Sequence, residues 1–301
     1  MSKVKAITMI IIAASLWGTI SIYIKQLSNL GFSSMEIVAI RCFWAFISLL
    51  LVMTFSKQTS WKLKRFKDIK YFIGTGVVSI SFFNYCYFQT ITNLNISIAV
   101  ILLYTAPIFV AILSYFLFKE KLSFKKIFFV FLTFLGCSLI AGFSITNLNI
   151  SVLTLLVGLG AGVGYALYTI FSRYALEKYD PLFITFYTFF VATIFLIPMT
   201  QLWEKASVLF SGEGLVYGIS LGVIPTVLAY LLYTKGLESV ENTKAAVMST
   251  IEPIVATVIA ITIFNESVFL IQIVGSILII VSVLMINIPD NKQQLLIEEK
   301  G

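Results

Sequence analysis

Glu252 and Pro253 stand side by side inside an otherwise apolar run, "MSTIEPIVATVIAITIF", residues 248–264. A charged side chain near the centre of a bilayer helix costs about 2.5–3.5 kcal/mol on insertion scales. Burial disfavours the charged form, so a carboxylate kept there suits a proton carrier or a partner for a substrate cation. The structural alternative is a protonated glutamate bonded to a neighbouring helix. Pro253 and Pro107 cannot donate to the carbonyls of Ser249 and Leu103, which frees polar atoms for protein or cavity water and offers either a gating kink or a static one. Ala245, Ser249, Ala256 and Ala260 make a small stripe around Glu252, with room for a ligand or for close helix packing. Asn84 and Tyr87 share a helix face, as do Tyr230 and Tyr233. Trp17, Tyr104, Tyr165 and Tyr168 add rings whose polar tips suit organic substrates and whose faces can hold a cation. Near span ends the same residues also form interface belts. There is no histidine, and Cys42, Cys86 and Cys137 lie singly in apolar runs. The common zinc and haem ligand sets and a disulfide framework are therefore not expected. Nor is there a Walker-type loop for ATP hydrolysis.

The elements that must position these side chains are membrane helices. Apolar residues make up 59 % of the chain and charged ones 12 %, against about 25 % charged in soluble domains; the fold class is all-α integral membrane. A span needs about 20 apolar residues, and ten runs are read at 6–24, 35–55, 71–89, 98–118, 127–143, 152–171, 182–202, 215–233, 245–264 and 268–288. The fifth is short and the last two are nearly fused, so nine is the competing count. The net charge of +7 lies in short gaps between the runs, which speaks for topology rather than for nucleic acid. With the amino terminus inside, eighteen of the twenty-one Lys and Arg residues fall in internal segments; Lys25 and Lys205 fall outside, and Arg41 lies within a span. Both termini are expected in the cytoplasm, with Ser60 and Ser144 on opposite sides of the membrane. The start "MSKVKAITMIIIAASLWG" resembles a signal peptide, but the apolar run continues to Ile24 and reads as a first span.

An offset of 146 residues lays the fourth run on the ninth: Ala99 on Ala245, Pro107 on Pro253, Phe118 on Phe264 and Glu120 on Glu266. It also brings Gly76 to Gly222 and Tyr87 to Tyr233. An offset of 148 matches "WGTISIYIK" with "YALYTIFSR". The chain divides into a first repeat, 1–144, a second, 145–289, and a short tail, 290–301. Five spans in each half make the halves enter the membrane in opposite senses, the inverted repeat of many secondary transporters. At Glu252 the first half has Ala106, so it builds a comparable helix without a carboxylate.

"ASLWGTISIYIKQL", "LYTAPIFVAILSYFLFKEKLS" and "STIEPIVATVIAITIFNES" resemble the drug/metabolite transporter superfamily in its EamA-type branch. The family's glycine about nine residues after the closing glutamate is matched by Gly275, whereas Phe129 stands in the first half, so packing of the fifth span is expected to differ. The resemblance implies alternating access around a central cavity lined by the first, third, fourth, sixth, eighth and ninth spans. It implies no metal or organic cofactor. On those helices lie the candidate substrate-binding residues Trp17, Asn84, Tyr87, Tyr104, Tyr165, Tyr168, Tyr230, Tyr233, Ser249 and Glu252, with Pro107 and Pro253 as gating kinks. Because the family places the second span at the periphery, Arg41 is read as structural, snorkelling outward or pairing with Glu36, rather than binding an anionic substrate group. Gly158, Gly160, Gly162 and Gly164 read as a close helix contact.

The functional expectation is a secondary-active exporter of a small metabolite, an amino acid or related amine, in a bacterial-type inner or plasma membrane. Its partners are the metabolite, the bilayer and coupled protons. The alternatives are a multidrug exporter of lipophilic cations and a membrane lipid enzyme, the latter disfavoured by scattered acids and the absence of histidine.

Overall fold

The computed structural model describes residues 1–55, 61–142 and 151–288. Lys57, Ser60, Ser144, the boundary between the two halves and the tail 290–301 lie outside the described residues. Among the described residues there is no strand, and apart from the short helical turns Phe66–Asp68, Leu202–Lys205 and Ala206–Leu209 the helices group into ten rods, each lying on one of the ten apolar runs. We label them α1 (Lys3–Asn29), α2 (Ser34–Phe55), α3 (69–93), α4 (Ile96–Phe118), α5 (Phe124–Ala141), α6 (Val152–Leu176), α7 (Pro181–Thr200), α8 (Gly212–Leu237), α9 (Asn242–Thr262) and α10 (Leu270–Ile286). All but α3 and α10 are long and apolar enough to cross a membrane. Exposed apolar side chains such as Phe116, Phe124 and Leu270 make a surface that water would not tolerate. This is a multi-pass membrane protein.

The same local geometry recurs 146 residues apart. α4 runs as Ile96–Leu103, breaks, and resumes at Ala106; α9 runs as Asn242–Ser249, breaks at Thr250, and resumes at Ile251. The cause is Pro107 and Pro253, which supply no N–H at the turn. Hydroxyls cap the broken ends: Thr105 Oγ1 donates to the Leu102 carbonyl at 2.5 Å and Thr250 Oγ1 to that of Val247 at 2.6 Å. α4 ends on left-handed Lys119 (φ 53°), and Asn265 (φ 54°) holds the same place after α9. The following glutamates, Glu120 and Glu266, donate their N–H groups to Ser114 and Ala260. α3 and α8 each carry a π-helical stretch, Gly74–Ser81 and Val223–Leu228. In α8 the reason is Pro225, which leaves the Leu221 carbonyl to accept from Thr226 Oγ1 at 2.8 Å.

Glycines bring the rods together in matched pairs. A Cβ on Gly76 would lie 2.6 Å from the Thr188 carbonyl, so α3 lies flush on α7; one on Gly222 would lie 2.5 Å from Trp44 Cβ, so α8 lies flush on α2. Gly136 and Gly275 face one another's carbonyls across the α5–α10 seam. Here Gly136, rather than the position of the buried Phe129, supplies the first half's close approach. Gly158 and Gly162 pack on α4, and Gly160 and Gly164 on α3, a close contact along both neighbours of α6.

Candidate functional site

The rods enclose a cavity of about 500 Å³, within the range of small-molecule sites. Glu252 lines it from the first turn after the break in α9. That break places the acid against α1, where a Cβ on Gly18 would lie 2.8 Å from the Glu252 carbonyl. Tyr165 on α6 donates its phenol to Glu252 Oε2 at 3.1 Å. The contact of α4 with α6 that corresponds to that of Glu252 with Gly18 is apolar: Ala106 and Ala166, which hold the places of Glu252 and Gly18, form one small cluster with Val110 and Ala246.

Trp17, Asn84, Tyr87, Tyr104, Tyr165, Tyr230, Glu252 and Pro253 all line the cavity. The Trp17 ring meets Tyr165 edge-on at 6.3 Å and Tyr230 at 5.2 Å, so these rings share one wall. Asn84 Nδ2 donates to the Ile80 carbonyl at 2.8 Å, at the end of the π stretch. The remaining candidates lie elsewhere. Tyr233 and Ser249, with Pro107, border a separate void of about 10 Å³, room for roughly one water. Tyr168 borders neither. Its phenol shares a hydrogen bond with Thr234 Oγ1 at 2.9 Å, and that of Tyr233 with Thr169 Oγ1 at 2.7 Å; both hydroxyls are used to tie α6 to α8.

Arg41 also stands on the cavity wall, not at the periphery that the family resemblance implies for the second span. Glu36 does not take it: that carboxylate accepts from Lys205 at 2.7 Å and from the Ser33 N–H at 2.6 Å. The contact of α2 with α8 at Gly222 holds Arg41 inward, and its side chain is buried.

The two ends of the cavity differ. One end opens where α1 ends and α2, α4 and α10 begin, bordered by Ser34, Ser97, Gln272 and the exposed Glu266. Toward the opposite end the chain is sealed. Lys126 Nζ lies 3.3 Å from Glu120 Oε1 and 3.2 Å from Glu241 Oε2, and donates to the Lys121 carbonyl at 2.8 Å. Glu120 Oε1 also accepts from the Thr243 N–H at 3.3 Å, and Asn242 Nδ2 donates to Ser114 Oγ at 3.1 Å. These contacts join the end of α4 and start of α5 to the start of α9. Burial pushes the Glu241 carboxyl up, but Lys126 and Lys244 outweigh it and hold it below the usual range. The 146-residue offset carries Glu120, Lys126 and Thr243 onto Glu266, Gln272 and Ser97; the sealing residues at one end correspond to the rim residues at the other. The offset contained that correspondence, but only the structure shows that the residues at one end close into a cluster.

Among the described residues no group of His, Cys, Asp and Glu could hold a metal ion. The model of the EamA-like transporter family matches the sequence over residues 4–142 and 152–288. An uncharacterized transporter of Archaeoglobus fulgidus is 25 % identical over 280 residues, covering 92 % of this chain and 94 % of the relative. The uncharacterized transporter YwfM of Bacillus subtilis is 25 % identical over 292 residues, with 95 % and 94 % covered. The uncharacterized inner membrane transporter YicL of Salmonella typhimurium is 26 % identical over 302 residues, with 96 % and 97 % covered. One solved crystal structure has the same fold, with a TM-score of 0.75 at 16 % identity, covering 95 % of this chain and 97 % of that one.

Proposed function

We propose, from the premise that this chain belongs to the EamA-like transporter family, that it is a secondary-active exporter of a small organic metabolite, an amino acid or related amine, working by alternating access. The observation that carries this reading is the asymmetry of the cavity. One end is bolted by Glu120, Lys126 and Glu241, while Glu266 and Gln272, which hold the corresponding places, stand at the rim. Two oppositely inserted halves that exchange these roles would open the cavity to each side in turn. Ten spans with both termini in the cytoplasm make the bolted end the inner one, in a bacterial-type plasma membrane.

Glu252 is the group that exchanges a proton for substrate. It is the acid on the cavity wall beside Trp17 and Tyr165, where a carboxylate is costly unless used. In proteoliposomes with an imposed proton gradient, E252Q is expected to abolish coupled uptake of the transported metabolite. Unchanged uptake and efflux would remove the coupling role. Labelling of S60C and S144C from the same side of the membrane would remove the inverted arrangement. A second reading, a multidrug exporter of lipophilic cations, draws on the aromatic wall of Trp17, Tyr87, Tyr104 and Tyr230; resistance to a dye panel separates the two.

A further inference from the structure

Arg41 presents an anomaly that the coupling role of Glu252 does not absorb. The residue is 6 % exposed and lines the cavity; its charge is felt at Glu252 across that cavity, yet neither Nε nor Nη2 has a hydrogen-bond partner. Arginine carries a permanent charge on a planar fork of donors, and buried donors left open are costly until an acceptor reaches them. The nearby acid on α2, Glu36, is committed to Lys205. The scaffold does not need a cation there: α7, which lies against α3 as α2 lies against α8, contains no Lys, Arg, Asp or Glu. A second donor on the same cavity, Trp17 Nε1, is likewise buried without an acceptor. The wall therefore has donors that lack acceptors; of its two carboxylates Glu266 stands at the exposed rim and Glu252 already accepts from Tyr165.

We infer that Arg41 is an anion subsite, and that the cargo is dipolar: a carboxylate received by Arg41, and an ammonium held by Glu252 among the rings of Trp17, Tyr165 and Tyr230. This rests on the transporter reading above and narrows it. A guanidinium receives a carboxylate through two parallel bonds, which satisfies donors the protein leaves open. A simple amine fills only the Glu252 end and leaves Arg41 unpaired. A lipophilic cation adds like-charge repulsion to that deficit. The carboxylate requirement is thus built into the second helix.

The test uses the full-length protein in proteoliposomes and a matched panel. It comprises the twenty standard L-amino acids, their decarboxylated amines, their deaminated acids, and the lipophilic cations ethidium and tetraphenylphosphonium. For the wild type, at least one amino acid is expected to show saturable counterflow, with its amine and its acid each at least tenfold weaker. R41Q is expected to lose that tenfold preference over the amine, and R41K to retain part of it; thermal midpoints of both variants establish that they are folded. Equal transport of amine and amino acid by the wild type, or an unchanged preference in folded R41Q, overturns the anion subsite. Transport of the lipophilic cations alone also overturns it while leaving the carrier standing. No saturable flux of any probe overturns both readings.

Discussion

Replacing Lys126 by methionine probes the bolt at the closed end. The side chains of Lys126 and Glu120 are only 10 % and 9 % exposed, so their pair is largely shielded from water. Removing one partner of a buried pair costs about 3–5 kcal/mol, because the other charge stays buried. Glu120 keeps the Thr243 N–H, which sets the expectation at the lower end, about 3 kcal/mol. Glu241 adds little, since it is 47 % exposed and keeps Lys244 at 3.1 Å. If the bolt exists only while this end is shut, about 3 kcal/mol shifts the balance between shut and open by roughly 100-fold. Ala246 borders the small void behind the bolt, and the native cysteines are buried, so A246C reports opening through its maleimide labelling rate from the Lys126 side. The rate in K126M is expected to rise by one to two orders of magnitude. A folded K126M with an unchanged rate refutes the gating argument. So does a fall in thermal midpoint without faster labelling, because the cluster would then hold the fold rather than a gate.

Three further outcomes follow from the geometry. G222A places a Cβ 2.5 Å from Trp44 Cβ and 2.9 Å from the Ala45 nitrogen; overpacking of this kind costs about 1–3 kcal/mol and lowers the thermal midpoint in detergent. G212A, whose Cβ meets nothing within 4 Å, leaves that midpoint in place. Asp68, in the loop before α3, is held below the usual aspartate range by its hydrogen bond from Lys178 at 2.7 Å, against a smaller effect of burial and with help from the Tyr179 hydroxyl at 2.8 Å. A lowered carboxylate stabilises the fold fully above its ordinary value of about 4 and less as pH falls through its lower folded value. An acid titration of the thermal midpoint should therefore fall less steeply in D68N than in the wild type.

Much of the helical framework was legible because a bilayer helix must satisfy its own backbone and present apolar side chains over its full length. The rods follow the apolar runs with shifts of a few residues, α5 beginning at Phe124 rather than at 127. The breaks in α4 and α9 were legible from Pro107 and Pro253. The π stretches were not, because only Pro225 hints at one of them and α3 has no such residue. At the cavity, residue type marked Glu252, Tyr104 and Tyr165, but it also marked Tyr168 and Tyr233. What separates these is whether a hydroxyl on another helix, Thr234 or Thr169, takes up the phenol, a matter of tertiary contact. The place of Arg41 was not legible for a related reason. A cation within an apolar run is compatible with snorkelling or with a cavity, and the rotation of α2 about its axis decides between them. That rotation is fixed by Gly222 pressing on Trp44, more than 170 residues away in the chain.

The interruption of α9 has a mechanical consequence. Asn242–Ser249 is a separate eight-residue cylinder, about 12 Å long at 1.5 Å per residue. The bolt residues Asn242 and Thr243 sit at its far tip, and Glu252 lies just beyond its pivot at Thr250. A small swing about that pivot would be magnified at the tip, where it would pull against Glu120 and Ser114. If Glu252 takes up proton or cargo as proposed, its occupancy and the sealing of the far end would be joined through one short lever.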